Sequence, residues 1–183
     1  MNNKVIFSLY REFVKRDFST LRFNFRGVGK SQGSYDDGEG ELTDAATAMD
    51  WIRSQNPSAT HCWVAGFSFG SWIGMQLMMR RPEIKGFISL SAPALTRDFA
   101  FLAPCPSSGL FIHGSDDEIV PSLALSRVIE KISIQKGAVI KDIIIQGADH
   151  FFNDHNNEMI DAVGKYLDTR LDKDGNFLSL IHI

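Results

Sequence analysis

Residues 61–75 read HCWVAGFSFGSWIGM, in which a short apolar run meets a glycine, one serine and a second glycine before another apolar run. The pattern G-x-S-x-G between a buried strand and a helix is typical of a nucleophile elbow. Gly66 and Gly70 matter sterically, because the turn around Ser68 is so tight that a side chain at either glycine would crowd the neighbouring helix or strand. An ordinary serine in a strand–helix turn is the alternative, and the apolar segments on both sides favour the elbow.

Length and composition are those of an ordinary globular domain. The 183 residues suffice for one domain with a substantial core, and 44% of them are hydrophobic and 22% charged. A net charge of -3 leaves no electrostatic footprint for nucleic acid or an anionic membrane. The apolar runs are too short for a membrane span, and no signal-peptide pattern opens the chain. We therefore expect no nucleic-acid partner, no membrane partner and a cytoplasmic location.

Two patterns that would indicate a cofactor are incomplete. Cys62 lies in a predicted strand and Cys105 lies between two prolines, and neither belongs to a C-x-x-C pair or a Cys/His cluster. Two reduced thiols are the default for a cytosolic protein. The glycine-rich segment 27–29 is followed by Gly33, which breaks the G-x-G-x-x-G spacing, and the next helix begins several residues later. The sequence therefore predicts neither a metal site nor a nucleotide cofactor.

Apolar periodicity predicts that helices and strands alternate along the chain. Helical spacing covers residues 2–15, 41–54, 69–81, 125–132 and 156–171, and strand patterns cover residues 19–25, 61–66, 86–91, 109–113 and 138–146. This alternation indicates an α/β fold, a doubly wound, mostly parallel sheet with helices on both faces. In such sheets, ligands bind beyond the carboxyl ends of the strands.

An acid and a base follow two of these strands. A serine hydroxyl is a poor nucleophile until a base takes its proton, so a histidine and an acid that orients it are needed. Both occur in the chain order Ser68, Asp117, His150. On the residues alone, Asp116 and Glu118 remain alternatives to Asp117 as the acid.

Four segments make the chain similar to the α/β-hydrolase superfamily. The resemblance is to its small bacterial members without a cap domain, which are related to dienelactone hydrolases and to serine esterases or peptidases. It covers nearly the whole chain to about residue 171 and implies Ser68 as nucleophile, Asp117 as acid and His150 as general base. The His-Gly-x-x-Asp spacing of the family selects Asp117. The segments are LRFNFRGVGKSQG at 21–33, the elbow, HGSDD at 113–117 and GADH at 147–150.

The same resemblance implies a serine hydrolase that cleaves a carboxylic ester, a thioester or an amide through an acyl-enzyme. The backbone amide of Phe69 is expected to bind the oxyanion, because the residue after the nucleophile does so in this fold. The segment 92–108, where many relatives insert a cap, is short, so we expect an open site for a small-molecule acyl substrate. The candidate apolar walls are Phe67, Phe101, Phe151 and Phe152.

Several polar residues outside this set are interpreted as structural. We expect Arg26 to brace its loop by pairing with carboxylates such as Glu39 or Glu41. His113 ends a strand and is expected to form hydrogen bonds that shape the loop that carries Asp117, which we call the acid loop. Asp149 is adjacent to His150 in sequence, where side chains rarely face each other, so a capping or loop role is expected.

Both ends of the chain suggest an incomplete gene. The superfamily orders its strands 1-2-4-3-5-6-7-8, and this chain starts at the helix after the third strand. We therefore expect about five strands, with a gap or a forced re-pairing between the strands at 19–25 and 61–66. The loop that normally supplies a second oxyanion donor would also be missing. Residues 172–183 resemble a translated sequencing adapter, so we expect one domain over 1–171 and a non-native tail.

These features leave a second class of function open. The alternative is a catalytically inactive hydrolase fragment or a non-enzymatic α/β module that lacks the oxyanion loop. The residues do not distinguish hydrolysis from acyl transfer, nor do they identify the substrate, and homo-oligomer formation is also left open.

Overall fold

A computed structural model describes residues 3–59, 61–134, 137–174 and 179–182, with side chains through residue 171. Its helices are α1 Lys4–Val14, α2 Glu39–Gln55, α3 Phe69–Arg80, α4 Ser122–Ser133 and α5 Asn156–Asp174, and a short 3-10 helix covers Ala100–Leu102. Its strands are β1 Ser19–Arg22, β2 Cys62–Phe67, β3 Ile84–Leu90, β4 Gly109–Gly114, β5 Ile140–Ile145 and β6 Ser179–His182. The predicted α/β class and the alternation of helices with strands are confirmed.

The strands form one parallel sheet in the order β1-β6-β2-β3-β4-β5. β6 lies between β1 and β2, so of the two expected outcomes, a gap or a re-pairing, the structure shows a re-pairing, and the sheet has six strands instead of the expected five or so. Residues 179–182, which we expected outside the fold, form the strand that fills this position. The physical reason is that an interior gap would leave the ladder N–H and C=O groups of two strands unpaired.

Helices cover both faces of the sheet, as predicted. One face packs against α1 and α5 through residues such as Leu9 and Val163, and the other packs against α2, α3 and α4. β2 shows the alternation, since Trp63 belongs to the first core and Val64 to the second. Each large apolar side chain buried in this way contributes about 1.5–3 kcal/mol. The packing holds the carboxyl ends of β2 to β5 at one edge of the sheet.

The described residues offer no features of two other classes of site, a membrane span and a metal centre. No helix among them is long and apolar enough to cross a membrane. Within the same ranges, no group of three or more His, Cys, Asp and Glu side chains is placed to hold a metal ion. Cys62 and Cys105 are both buried, and burial raises the pKa of the Cys105 thiol.

Tyr166 on α5 makes the core sensitive to alkaline pH. Its side chain is 6% exposed, its hydroxyl has no hydrogen-bond partner among the described residues, and desolvation raises its pKa to about 12 from 10.0. The unfolded chain releases this proton first, so stability is complete below pH 10 and falls as the pH rises toward 12. We expect Tyr166→Phe to have the free energy of unfolding of the wild type at neutral pH. At the alkaline end of this pH range, its free energy of unfolding should exceed that of the wild type by about 2 kcal/mol. Urea unfolding across this range measures the difference, and parallel losses in both proteins would contradict it.

Candidate active site

The turn between β2 and α3 has the strained backbone that the elbow requires. Ser68 has φ 52° and ψ −121°, a combination that residues with a side chain rarely adopt. Its N–H donates to the carbonyl of Leu90 at 2.8 Å, and its carbonyl accepts the N–H of Ser71 at 2.9 Å. α3 begins at the next residue, Phe69. The serine therefore stands at the carboxyl edge of the sheet, directly before a helix N-terminus.

Gly66 allows β2 and α3 to approach this closely. A Cβ atom at Gly66 would lie 2.5 Å from the Cα of Ser71 and 2.6 Å from the carbonyl carbon of Gly70, which are backbone atoms of α3. We expect Gly66→Ala to cost about 3 kcal/mol or more and to lower Tm by roughly 6–12 °C. Gly164→Ala is the control, because its Cβ would meet only the ends of two flexible side chains. Equal Tm values for the two variants would contradict this prediction.

Three side chains from distant parts of the chain meet at this edge. The Oγ of Ser68 lies 3.0 Å from Nε2 of His150, and Nδ1 of His150 lies 2.7 Å from Oδ2 of Asp117. The other carboxylate oxygen accepts the N–H groups of Ile119 at 2.9 Å and Val120 at 2.7 Å. Asp117 and His150 are each 5% exposed. An imidazole that carries its proton on Nδ1 can donate to the carboxylate and accept the hydroxyl proton of Ser68 at Nε2.

The geometry separates Asp117 from the two acids beside it. Asp117 is buried, whereas Asp116 and Glu118 are exposed. The carboxylate of Asp116 accepts the hydroxyl of Ser115 at 2.7 Å. The carboxylate that faces His150 is therefore the one that the family spacing selects.

Hydrogen bonds join the loop after β4 to the loop after β5. The N–H of Gly147 donates to the hydroxyl of Ser115 at 2.7 Å, and the N–H of Asp116 donates to the carbonyl of Ala148 at 3.0 Å. A Cβ atom at Gly114 would lie 2.0 Å from that same carbonyl oxygen, so only glycine permits the contact. These backbone contacts bring the acid and the histidine within hydrogen-bond range.

The four candidate wall phenylalanines lie in different environments. Phe67 and Phe151 flank the imidazole of His150, with centroid separations of 5.2 and 5.1 Å. Phe152 is fully buried in the core beneath α5. The prediction that Phe152 lines the site is therefore wrong, because its ring packs in the core and exposes no surface to a substrate. Phe101 lies in the 3-10 helix and packs against the core under α3 and α4, and its role as a wall stays a prediction.

Arg26 braces the loop before α2, as expected, but through other carboxylates. Its guanidinium lies 2.8 Å from Asp44 and 3.6 Å from Asp36. The hydrogen bond from Arg26 holds the pKa of the Asp44 carboxyl below its ordinary value. Glu41 instead accepts the N–H groups of Asp36 and Gly38 at the start of α2, which is the glutamate half of a capping box, since Gly38 has no side chain to supply the other half. Pairing with carboxylates is thus as expected, with Asp44 and Asp36 as the ion-pair partners in place of Glu39 or Glu41.

Asp149 and His113 have structural contacts. The carboxylate of Asp149 accepts the backbone N–H of Asn153 at 2.9 Å and its side-chain amide at 2.6 Å, and these bonds lower the pKa of Asp149. This agrees with the expected loop role. His113 is 1% exposed, and its Nε2 lies 3.1 Å from the carboxylate of Asp142. Neither ring nitrogen of His113 has a hydrogen-bond partner among the described residues, so its expected role in shaping the acid loop stays a prediction.

Beside the elbow, the contacts of Arg97 form a clamp that the sequence does not predict. The guanidinium of Arg97 lies 4.7 Å from the ring centroid of Trp72 and 5.6 Å from that of Phe69. It also donates to the hydroxyl of Tyr35 at 2.6 Å and pairs with Asp37 at 2.8 Å. The clamp joins the loop before α2 to the segment after β3, over the first turn of α3. Linear spacing carries no signal for it, since its members come from separate segments.

Comparison with protein families and curated proteins gives two matches. The family model described as serine aminopeptidase, S33, matches residues 4–108. The uncharacterized protein RP471 of Rickettsia prowazekii (strain Madrid E) is 46% identical over 173 residues, which is 92% of this chain and 73% of that protein.

Solved structures give the same assignment. ATU1826 from Agrobacterium tumefaciens, a protein of unknown function described as a candidate α/β hydrolase, superposes with a TM-score of 0.93 at 52% identity, over 95% of this chain and 80% of that one. XC6422 from Xanthomonas campestris, described as an α/β serine hydrolase without lid, superposes with a TM-score of 0.82 at 31% identity, over 92% of this chain and 74% of that one. The predicted resemblance to small hydrolases without a cap is thereby confirmed. The chain belongs to the α/β-hydrolase superfamily, within the serine aminopeptidase S33 family, and is a hydrolase.

Proposed function

We propose that the chain cleaves an ester-like bond, namely a carboxylic ester, a thioester or an amide, through an acyl-enzyme on Ser68. The observation that carries the proposal is the pair of contacts that runs from Ser68 through His150 to Asp117, at 3.0 and 2.7 Å. A hydroxyl, an imidazole and a buried carboxylate in this order are the groups that activate a serine nucleophile.

The acylation half of the reaction follows from these contacts. Nε2 of His150 takes the proton of Ser68 as Oγ attacks the carbonyl carbon of the substrate. Asp117 keeps the second imidazole proton on Nδ1 and stabilises the imidazolium. The oxyanion lies against the amide of Phe69, where the N-terminus of α3 favours negative charge.

The imidazolium then protonates the leaving group, which departs and leaves an acyl ester on Ser68. Water attacks this ester in the second half of the reaction, with His150 again as the base, and the serine is regenerated. An acceptor other than water would turn the same steps into acyl transfer.

The aromatic residues beside His150 support an apolar leaving group. The ring of Phe151 is 47% exposed and stands edge-on to the imidazole at 5.1 Å. Phe67 lies 5.8 Å from Phe151 but is only 9% exposed, so it packs behind the exposed ring from the core. Because the leaving group takes its proton from Nε2, it departs next to this exposed ring. Short acyl esters of aryl or alkyl alcohols fit such a surface.

A fluorophosphonate probe tests the proposal, because it phosphonylates a serine only when that serine is activated. We expect rapid labelling of the folded protein, with the modified peptide containing Ser68 in mass spectrometry. A panel of short p-nitrophenyl esters, alkyl esters, thioesters and amino-acid p-nitroanilides then identifies the bond that is cleaved. Inertness of a folded sample toward the probe would favour the catalytically inactive α/β module instead.

A further inference from the structure

We propose that Ser91 is a positioning residue for the base: its hydroxyl holds the backbone of His150 where Nε2 can reach Ser68. The inference rests on the function proposed above. Ser91 directly follows β3 and its side chain is fully buried. Its Oγ donates a hydrogen bond to the carbonyl oxygen of His150 at 3.0 Å.

The end of β3 contacts the backbones of both reacting residues. The carbonyl of Leu90 accepts the N–H of Ser68 at 2.8 Å, and the next residue, Ser91, binds the carbonyl of His150. Two consecutive residues therefore join positions that are 82 residues apart in sequence. β3 is an interior strand with β2 and β4 on either side, so its end is held firmly. This end fixes the distance between Oγ of Ser68 and Nε2 of His150.

The backbone of Ser91 is strained. Its φ of 45° lies in the left-handed region, where glycine, asparagine and aspartate are the usual residues. Its N–H is nevertheless bonded to the carbonyl of Ile112 at 2.9 Å, so the conformation is set by the sheet. Glycine would relieve the strain but would lack the hydroxyl. The serine thus keeps a hydrogen bond that the less strained residue cannot make.

Side-chain contacts alone do not fix the imidazole of His150. Its two nitrogens face Asp117 and Ser68, and Phe67 and Phe151 flank the ring, so all of these contacts act on the side chain. The bond from Ser91 holds the backbone of the same residue. Loss of this bond leaves a buried carbonyl without its donor and lets the loop that carries His150 shift. A displacement of about 1 Å in a catalytic group can cost roughly 100-fold in rate.

Phosphonylation kinetics test the proposal without knowledge of the substrate. For Ser91→Ala we expect the limiting rate constant for labelling of Ser68 by the fluorophosphonate probe to fall about 10- to 100-fold. The probe concentration that gives the half-maximal rate should stay nearly unchanged, because the probe-binding surface is intact. Ser89→Ala is the matched control. Ser89 lies two positions earlier, on β3, is equally buried, and its hydroxyl has no hydrogen-bond partner among the described residues, so we expect the wild-type rate.

Two further variants separate the hydrogen bond from the backbone strain. Ser91→Gly removes both and should be as slow as Ser91→Ala, whereas Ser91→Cys keeps a weak donor and should be intermediate. Circular dichroism and thermal melts establish that each variant is folded. If the alanine variant unfolds, the labelling rates of the glycine and cysteine variants test the positioning role of Ser91.

A labelled wild type together with an unimpaired Ser91→Ala would overturn the positioning role alone. A full rate in Ser91→Gly, or an equal loss in Ser89→Ala, would overturn it as well. An unlabelled wild type would refute the proposed function, and the role of Ser91 with it.

Discussion

Ser68→Ala is expected to lower kcat for ester hydrolysis by roughly 10⁵- to 10⁶-fold. The variant has no atom that can form the acyl-enzyme, whereas the Cβ that occupies the elbow is kept. His150 and Asp117 keep their own contact at 2.7 Å, so the rest of the site should be unchanged. The measurement is kcat on the ester selected by the substrate panel, together with the extent of probe labelling.

Ser71→Ala is the control for this substitution. Ser71 lies three positions further along, on α3, is fully buried, and its hydroxyl has no hydrogen-bond partner in the described part of the chain. We expect wild-type kcat and wild-type labelling for it. Unchanged turnover in Ser68→Ala would exclude this serine as the nucleophile.

Asp117→Asn is expected to lower kcat by about 10⁴-fold in a protein that remains folded. Oδ1 of Asp117 accepts the N–H groups of Ile119 and Val120, so the amide oxygen of asparagine must take that position. The amide nitrogen then faces Nδ1 of His150 and donates to it. This forces the imidazole proton onto Nε2, which can no longer accept the proton of Ser68.

Asp116→Asn tests whether the loss belongs to Asp117 specifically. The carboxylate of Asp116 is exposed and accepts a hydrogen bond from the hydroxyl of Ser115. Because an exposed polar contact of this kind contributes little, we expect kcat within about threefold of the wild type. Equal losses in the two variants, or a loss in Asp116→Asn alone, would contradict the assignment of the acid.

The alternation of helices and strands could be predicted because it follows from the period of apolar residues. The elbow could be predicted for the same local reason, since the contact between Gly66 and Ser71 spans only five positions. Strand ends were less accurate. The alternation at Phe23 and Phe25 indicated a strand to residue 25, but β1 ends at Arg22. Those two rings instead pack edge to face at 5.3 Å, and Phe25 packs on Phe69 at 5.8 Å.

The candidate triad could be predicted from the sequence only in part. The residue types and their positions after strands singled out Ser68 and His150, and the resemblance to a family singled out Asp117. Burial is what separates Asp117 from Asp116, and burial depends on how the acid loop folds against the loop after β5. The burial of Phe152 and the pairing of Arg26 with Asp44 also depend on how segments that are separate in sequence pack together.

The amino-acid sequence thus determined the α/β architecture and the position of the serine, because both depend on short-range periodicity and on one tight turn. Tertiary structure alone decided that residues 179–182 pair between β1 and β2, and that Ser91 binds the carbonyl of His150. Both contacts join residues far apart in the chain. Their partners are set by which backbone groups are left to be paired once the sheet has formed, and no local pattern records that information.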